Sequence, residues 1–444
     1  MDTETTRVDG QQATSADIRA KHHQYLIPAV ANYYKDPLVM AHGKMSRITD
    51  LDGNQYLDFF GGILTVSVGH ANEEVNAAVS AQIGRLTHIS TLYPTVPMVE
   101  LAEKLVSIAP GKLDKCFFTA SGTEADETAV NLAQVHTGNM EMITLRHAYS
   151  GRSALAQSLT AHAAYRSIPT QIAAVKHALA PYCYRCPLKQ TYPGCGVACA
   201  QDVDELIRTT TTGQIAGMIA EPILGVGGFI TPPKEYYEIV AEIVRSYGGV
   251  FISDEVQTGF GRTGKNWGIE QYGVEPDMIT MAKGIANGMP LGGIITTTPI
   301  AESFKKGTIS TFGGNPVSCA SAKATIDIIH RDNLAENCEK MGQVLRDGLE
   351  ELQQRYPKII GDVRGMGLMQ AMELVVDETS GDRTPNLEAT NRLFEETRKR
   401  GLLIGKGGLY GCSIRIAPML NVTRDDIDEG LSILNDAFAA MHDA

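Results

Sequence analysis

Two residues at the ends of two short apolar runs could do chemistry together. Residues 248–254, Gly-Gly-Val-Phe-Ile-Ser-Asp, end in the carboxylate of Asp254, and residues 277–283, Asp-Met-Ile-Thr-Met-Ala-Lys, end in the amine of Lys283. If the runs are neighbouring buried strands, acid and base stand at the carboxyl ends of parallel strands, where open α/β sheets bind ligands. Such a pair meets the needs of pyridoxal phosphate. The amine forms a Schiff base with the aldehyde, and the carboxylate keeps the pyridine nitrogen protonated so that the ring can accept electrons. A structural ion pair between strand ends is the competing reading, and this pair alone does not choose between them.

A second segment could hold a phosphate. Thr119-Ala120-Ser121-Gly122-Thr123-Glu124-Ala125 follows the apolar run Cys116-Phe117-Phe118 and opens a helical pattern carrying Ala129, Val130 and Leu132. Hydroxyls and a glycine at a helix start expose backbone N–H groups at the positive end of the helix dipole. An ordinary N-cap with an acid three residues on has the same spelling. Gly259-Phe260-Gly261-Arg262-Thr263-Gly264 matches a dinucleotide fingerprint, but that motif must open a helix, and Lys265-Asn266-Trp267-Gly268 carries no helical start. These glycines are expected to let the backbone pass close to a ligand or a neighbouring subunit.

The elements that must position these groups surround them. From about residue 72 to 325, short apolar runs alternate with amphipathic stretches. Residues 216–220, then 234–247 with Ile239, Val240, Ile243 and Val244 at helical spacing, then 250–253, form a β-α-β unit. Residues 142–145 and 293–296 add strands, which predicts an α/β fold with a mostly parallel sheet covered by helices. Beyond residue 330 the pattern changes. Residues 334–356 and 386–399 are expected helices, and 362–369 and 413–418 expected strands, of a smaller α+β domain. The division is 1–71 (an N-terminal arm and a small-domain segment), 72–325 and 326–444, with residues 1–18 a mobile polar arm.

The chain has 444 residues and a formal net charge of −12, which argues against nucleic acid or an anionic membrane as the main partner. The first residues show no basic region followed by an apolar stretch, and no apolar run approaches the roughly 18 residues of a membrane helix. With eight cysteines, this favours reduced thiols in a cytoplasm.

In combination these motifs resemble the class III pyridoxal-phosphate aminotransferases of fold type I, over about residues 36 to 440. Asp52-Gly53 with Tyr56-Leu57-Asp58, Ser121-Gly122-Thr123-Glu124-Ala125, Asp254-Glu255-Val256-Gln257-Thr258-Gly259, Lys283-Gly284, Thr311-Phe312-Gly313-Gly314-Asn315-Pro316 and Arg415-Ile416-Ala417-Pro418 carry the resemblance. Within the class the chain is similar to the alanine–glyoxylate and ω-amino acid transaminase subgroup. The resemblance implies that Lys283 holds the cofactor covalently and shuttles the proton, and that Asp254 pairs with the pyridine nitrogen. Val256 and Tyr149 would pack on the two ring faces and Gln257 would approach the ring hydroxyl. Ser121, Gly122 and Thr123 would bind phosphate within the subunit, with Thr311 reaching it from the partner of a homodimer or tetramer with shared sites. It also implies Arg415 as the clamp for an α-carboxylate, paired with Glu221 when the donor lacks one, and Arg152 as a second carboxylate holder. A surface or interface arginine is the alternative for Arg152.

The implied reaction is ping-pong transfer of an amino group from an ω-amino acid, amine or alanine-type donor to pyruvate, glyoxylate or 2-oxoglutarate. Mutation or decarboxylation on the same cofactor, or a non-catalytic binding protein, are the alternatives. Ser150 stands where many members carry His, and Asp126 where Asn is frequent, which would add negative charge near the phosphate. Cys183, Cys186, Cys195 and Cys199 fall close together, but their spacing matches no standard zinc pattern, so no metal is assigned.

Overall fold

Residues 7–8, 11–169 and 172–442 are described in the computed structural model. The expected arm at residues 1–18 falls partly outside them. Within them, Ser15–Tyr25 is helical from a capping box, with Thr14 Oγ1 accepting the Asp17 N–H at 3.2 Å and Asp17 accepting the Thr14 N–H at 3.1 Å. The cap satisfies two otherwise unpaired groups, so order begins earlier than composition suggested.

Seven strands form the central sheet, in the order Lys115–Thr119, Gly292–Thr296, Met278–Met281, Val250–Asp254, Gly217–Ala220, Met142–Leu145, Val175–Ala178. Neighbours are parallel except around Gly292–Thr296, which is antiparallel to both partners. The five interior strands are buried along their whole length, which is why they are continuous apolar runs rather than alternating ones. Helix Tyr236–Ser246 buries Tyr236, Tyr237, Val240, Ala241 and Val244, and leaves Glu238 and Glu242 in solvent. Its buried stripe is rotated from the one expected: Ile239 and Ile243 are only half-buried, because the two tyrosines take the inner positions.

A second, antiparallel sheet comprises Ile360–Met366, Met369–Asp377, Ser413–Ile416, Gly405–Gly407 and Asp382–Pro385. Residues 362–369, expected as one strand, contain the hairpin turn between the first two. A third sheet pairs Leu402–Leu403 in parallel with Gln55–Asp58, next to Arg47–Asp50 and Met40–Lys44, so the two ends of the chain meet there.

Two of the glycines at 259–264 approach this chain's own helix, and Gly259 lies against Trp267. Gly261 and Gly264 have φ of +93° and +96°, and an added Cβ would lie 3.4 Å from Ala335 and 3.2 Å from Glu339 on helix Leu334–Arg355. Only a single 3₁₀ turn, Gly268–Tyr272, follows them. The loop hangs on buried Glu255, whose carboxylate accepts the Ser253 and Thr258 hydroxyls and the N–H groups of Gly268 and Ile269, both at 2.8 Å. No helix among the described residues is long and apolar enough to cross a membrane.

Candidate active site

Strand register brings the acid and the amine together. Asp254 lies opposite Thr280 in the parallel pair Val250–Asp254 and Met278–Met281, and Lys283 follows two residues beyond the second strand. Lys283 has φ +46° at the start of a single 3₁₀ turn. A branched-free but bulky residue in that region is strained, and such strain persists only where the surroundings impose it. The side chain is largely buried. Desolvation holds its amine below the usual lysine range, against the opposing pull of Asp254 and Glu221.

Asp254 is buried, and burial raises its carboxyl pKa, although the Val256 N–H at 3.0 Å, Lys283 and the Thr280 hydroxyl all favour the ionised form. Glu221, just after Gly217–Ala220, accepts the Tyr149 N–H at 3.0 Å and the Gly225 N–H at 2.7 Å. Burial, reinforced by Asp254, pushes its carboxyl up to about 8.

The segment read as either cap or cradle is a cap that leaves a cradle open. Ser121 Oγ accepts the Glu124 N–H at 3.3 Å, and the Glu124 carboxylate accepts the Ala120 N–H at 3.0 Å. Gly122 and Thr123 then begin helix Gly122–Thr137, whose first N–H groups have no carbonyl partner within the helix. A Cβ on Gly122 would lie 3.4 Å from both Val256 and Ala282, and one on Gly151 would collide with Thr123 Oγ1 at 2.1 Å. Residues 121–123, the Tyr149-Ser150-Gly151 turn, Val256 and the approach to Lys283 thus lie against one another. Gln257 Oε1 is buried without a partner, its amide packed against Gly225. An anion-favouring helix start, an orphaned acceptor, a buried carboxylate and an amine of lowered pKa fit a phosphorylated pyridine aldehyde.

Arg415 arrives from the second sheet. It donates to Lys406 O at 2.8 Å and Gly225 O at 3.2 Å, with its guanidinium 4.8 Å from the Phe60 ring and 5.5 Å from that of Phe229. Glu221 and Arg415 are not paired here; the expected pairing is one that forms only when the donor lacks an α-carboxylate. The Glu221 oxygens face backbone N–H groups, and a carboxyl that burial and Asp254 push towards neutrality is a weak counter-ion. Arg152 is exposed. Thr311 is also exposed, beside Ser310, whose N–H donates to Thr91 Oγ1 at 3.1 Å.

The structure adds residues that motif reading passed over. Tyr165 meets Tyr149 edge-on at 5.4 Å and His162 at 5.0 Å, while Thr280, Phe60 and Phe229 touch the groups named above. Strand register could have flagged Thr280. Nothing in the sequence pairs Phe60 or Phe229 with Arg415. The four clustered cysteines line one small cavity with Tyr182 and Tyr192, as free thiols. Among the described residues, no three His, Cys, Asp or Glu side chains are grouped to hold a metal ion.

Residues 29–438 match the family described as aminotransferase class-III. Over 437 residues the chain is 39% identical to the mitochondrial alanine–glyoxylate aminotransferase 2 of Homo sapiens, covering 94% of this chain and 85% of that protein. It is 31% identical to a leucine/methionine racemase of Thermococcus litoralis, covering 95% of each. Among solved structures, an (S)-enantioselective ω-transaminase from Thermomicrobium roseum superposes with a TM-score of 0.88 at 33% identity, covering 96% of this chain and 99% of that one.

Replacing Glu221 by Gln should expose the protonation of this pocket in stability. A folded-state value of about 8 lies above the ordinary glutamate value of about 4.3. The wild type therefore loses stability relative to Glu221→Gln as pH rises between those values, and the difference levels off above about 8. Thermal unfolding of both proteins across that window reads it. A difference that does not change with pH would mean Glu221 is ionised in the folded state.

Proposed function

We infer the working parts of this enzyme from one premise: the chain belongs to the class-III aminotransferase family and is a pyridoxal 5′-phosphate-dependent transaminase. It moves an amino group from a donor amine or amino acid to a 2-oxo acid. When bound, the cofactor supplies an aldehyde that accepts the amino group and a ring that takes up electron density. The observation that carries the assignment of parts is Lys283 with positive φ, largely buried, at the end of the strand beside Asp254.

Lys283 holds the cofactor through its amine. Desolvation keeps part of that amine unprotonated and therefore nucleophilic. The same amine, when free, would serve as the base that holds and moves the proton of the donor's Cα. Asp254 holds the proton on the ring nitrogen. Val256 and Tyr149 pack the two ring faces, Gln257 turns its unpartnered Oε1 to the ring hydroxyl, and Ser121, Gly122 and Thr123 receive the phosphate. Arg415 receives the substrate carboxylate as a bidentate fork, held in plane by Phe60, Phe229 and two backbone carbonyls. Arg152, exposed near Tyr149, serves donors with a distal carboxylate. Those donors are ω-amino acids, amines or alanine-type amino acids, and the acceptor is a small 2-oxo acid.

We assign the active unit to a homodimer. Leu92, Tyr93, Val96, Ile309 and Phe312 are each at least 60% exposed. A patch of that kind around Thr311 suits a second copy of the chain, with Thr311 completing the partner's phosphate site. The seven-stranded sheet falls wholly between residues 71 and 325, which supports a central domain there, while helix Pro316–Arg331 runs across the second limit. Eight free thiols support a reducing compartment such as the cytoplasm.

The holoenzyme's absorbance band should shift on adding donor alone and return on adding 2-oxo acid. Lys283→Ala should abolish both changes, and multiple turnovers by that variant without added amine would sink the lysine assignment. Arg415→Ala should cost about 2–4 kcal/mol in kcat/KM for substrates bearing the carboxylate and little for a simple arylalkyl amine. Equal loss for both would make the arginine structural. Mixing Lys283→Ala with Thr311→Ala subunits should recover activity, since one site of each mixed dimer would then carry neither defect. Verified heterodimers without recovery, when Thr311→Ala alone is impaired, would place Thr311 in its own subunit's site.

A further inference from the structure

Two buried arginines share one face of the second sheet. Arg364 on Ile360–Met366 stands opposite Ala371, and Ala371 stands opposite Arg415 on Ser413–Ile416. Cross-strand partners point to the same face, so the two side chains emerge on either side of Ala371. Asp362, Glu373 and Ser413 form the next row on that face.

Their hydrogen bonding differs. Four of the five Arg364 N–H groups are engaged. Nη1 donates to Asp362 at 2.6 Å and to Glu373 at 2.8 Å, Nη2 to Ser413 Oγ at 3.0 Å, and Nε to Gly228 O at 2.9 Å. The guanidinium also lies 5.0 Å from the Tyr182 ring, and Glu373 is further held by Tyr182 and Arg185. Among the described residues Arg415 bonds only to backbone carbonyls. Its Nε and Nη2 donate to Lys406 O and its Nη1 to Gly225 O. One N–H on each terminal nitrogen is left over, which is the fork a carboxylate takes.

Both arginines hold the same turn, which follows the central strand Gly217–Ala220. Gly225 O accepts Arg415 and also the Gly228 N–H at 3.2 Å, while Gly228 O accepts Arg364. The next residue, Phe229, is the ring 5.5 Å from the Arg415 guanidinium. The turn has little slack. Gly228 has φ +96°, and a Cβ there would fall 2.5 Å from Ser413 Oγ and 3.1 Å from Arg364 Nη2. Its other ties, Gly225 N–H to Glu221 at 2.7 Å and Gly408 N–H to Val226 O at 2.9 Å, leave the Gly228 carbonyl to Arg364. We propose that Arg364 is a positioning residue for substrate carboxylates. By holding Gly228 O it fixes the Gly225–Phe229 turn, and with it one carbonyl and one ring of those that aim the Arg415 fork. Arg364 itself does not meet substrate, because its donors are already engaged by acids, a hydroxyl and the turn.

This role rests on Arg415 being the carboxylate clamp, and the test separates the two. Arg364→Lys keeps a cation beside Asp362 and Glu373 but puts a single nitrogen where the fork spans Gly228 O and Ser413. Half-reactions of the holoenzyme, followed by absorbance, compare L-alanine with 1-phenylethylamine, which has no carboxylate. The L-alanine concentration giving half the limiting rate should rise about 10-fold, as for one lost charged hydrogen bond, while the limiting rate holds. The same constant for 1-phenylethylamine should stay within about two-fold, since that donor does not use the fork. Equal losses for both donors, or none for L-alanine, would overturn the positioning role. A crystal structure of Arg364→Lys should show Arg415 off Gly225 O, and an unmoved Arg415 overturns the proposal whatever the kinetics. If Arg415→Ala harms both donors equally, the clamp reading fails by itself, and a displaced Arg415 in that crystal structure still upholds the positioning. If Arg364→Lys does not fold, Gly228→Ala breaks the same contact from the turn side. It should give the same split between donors, and equal losses there overturn the proposal.

Discussion

The site depends on one constraint, the cost of taking carboxyl groups out of water beside a single amine. Four acids are buried within a few residues of the strand ends, and each is stabilised as a charge only as far as hydrogen-bond donors reach it. Glu255 receives two hydroxyls and two N–H groups and anchors the loop after Asp254, although burial still pushes its carboxyl up to about 7. Asp254 has one N–H and the nearby amine, and Glu221 has two N–H groups but also repulsion from Asp254. The supply of donors, more than the identity of the acids, sets these carboxyls apart from one another.

That sorting needs the backbone held to a close tolerance, and three sheets share the task. The central sheet sets Asp254 opposite Thr280 and brings Glu221 to the same edge. The antiparallel sheet carries Arg415, and the sheet joining the chain ends leads into Phe60, under the guanidinium. Arg262 fastens them together from the loop that Glu255 anchors. Its buried guanidinium donates to Leu368 O and Pro418 O, in the turn between two strands and just past the Arg415 strand. A neutral side chain there would leave buried carbonyls unpaired on both sides.

Much of this was legible before any coordinates. The buried strands stand out as unbroken apolar runs, because a sheet covered on both faces leaves no polar alternation to blur them. The helix at Gly122–Thr137 announced itself through Ser121 and Glu124. Less legible were features set by partners distant in sequence. The stripe of Tyr236–Ser246 turned towards its tyrosines, the 362–369 run folded into a hairpin, and Gly261 and Gly264 met helix Leu334–Arg355. Each depends on what packs across the gap, which local periodicity does not encode.

By itself, the sequence determined which chemical groups are present and, through strand-end positions and spacing, that Lys283 and Asp254 would lie at the same end of neighbouring strands. Those features are local: a short apolar run dictates where its last side chain emerges. Tertiary structure alone decided how far each acid there is desolvated and which donors reach it. Burial pushes the carboxyls of Glu221 and Asp126 up, and Glu221 is met by backbone N–H groups of Tyr149 and Gly225, partners distant in sequence. A carboxyl's proton affinity belongs to its surroundings, and those surroundings exist only once the chain has folded.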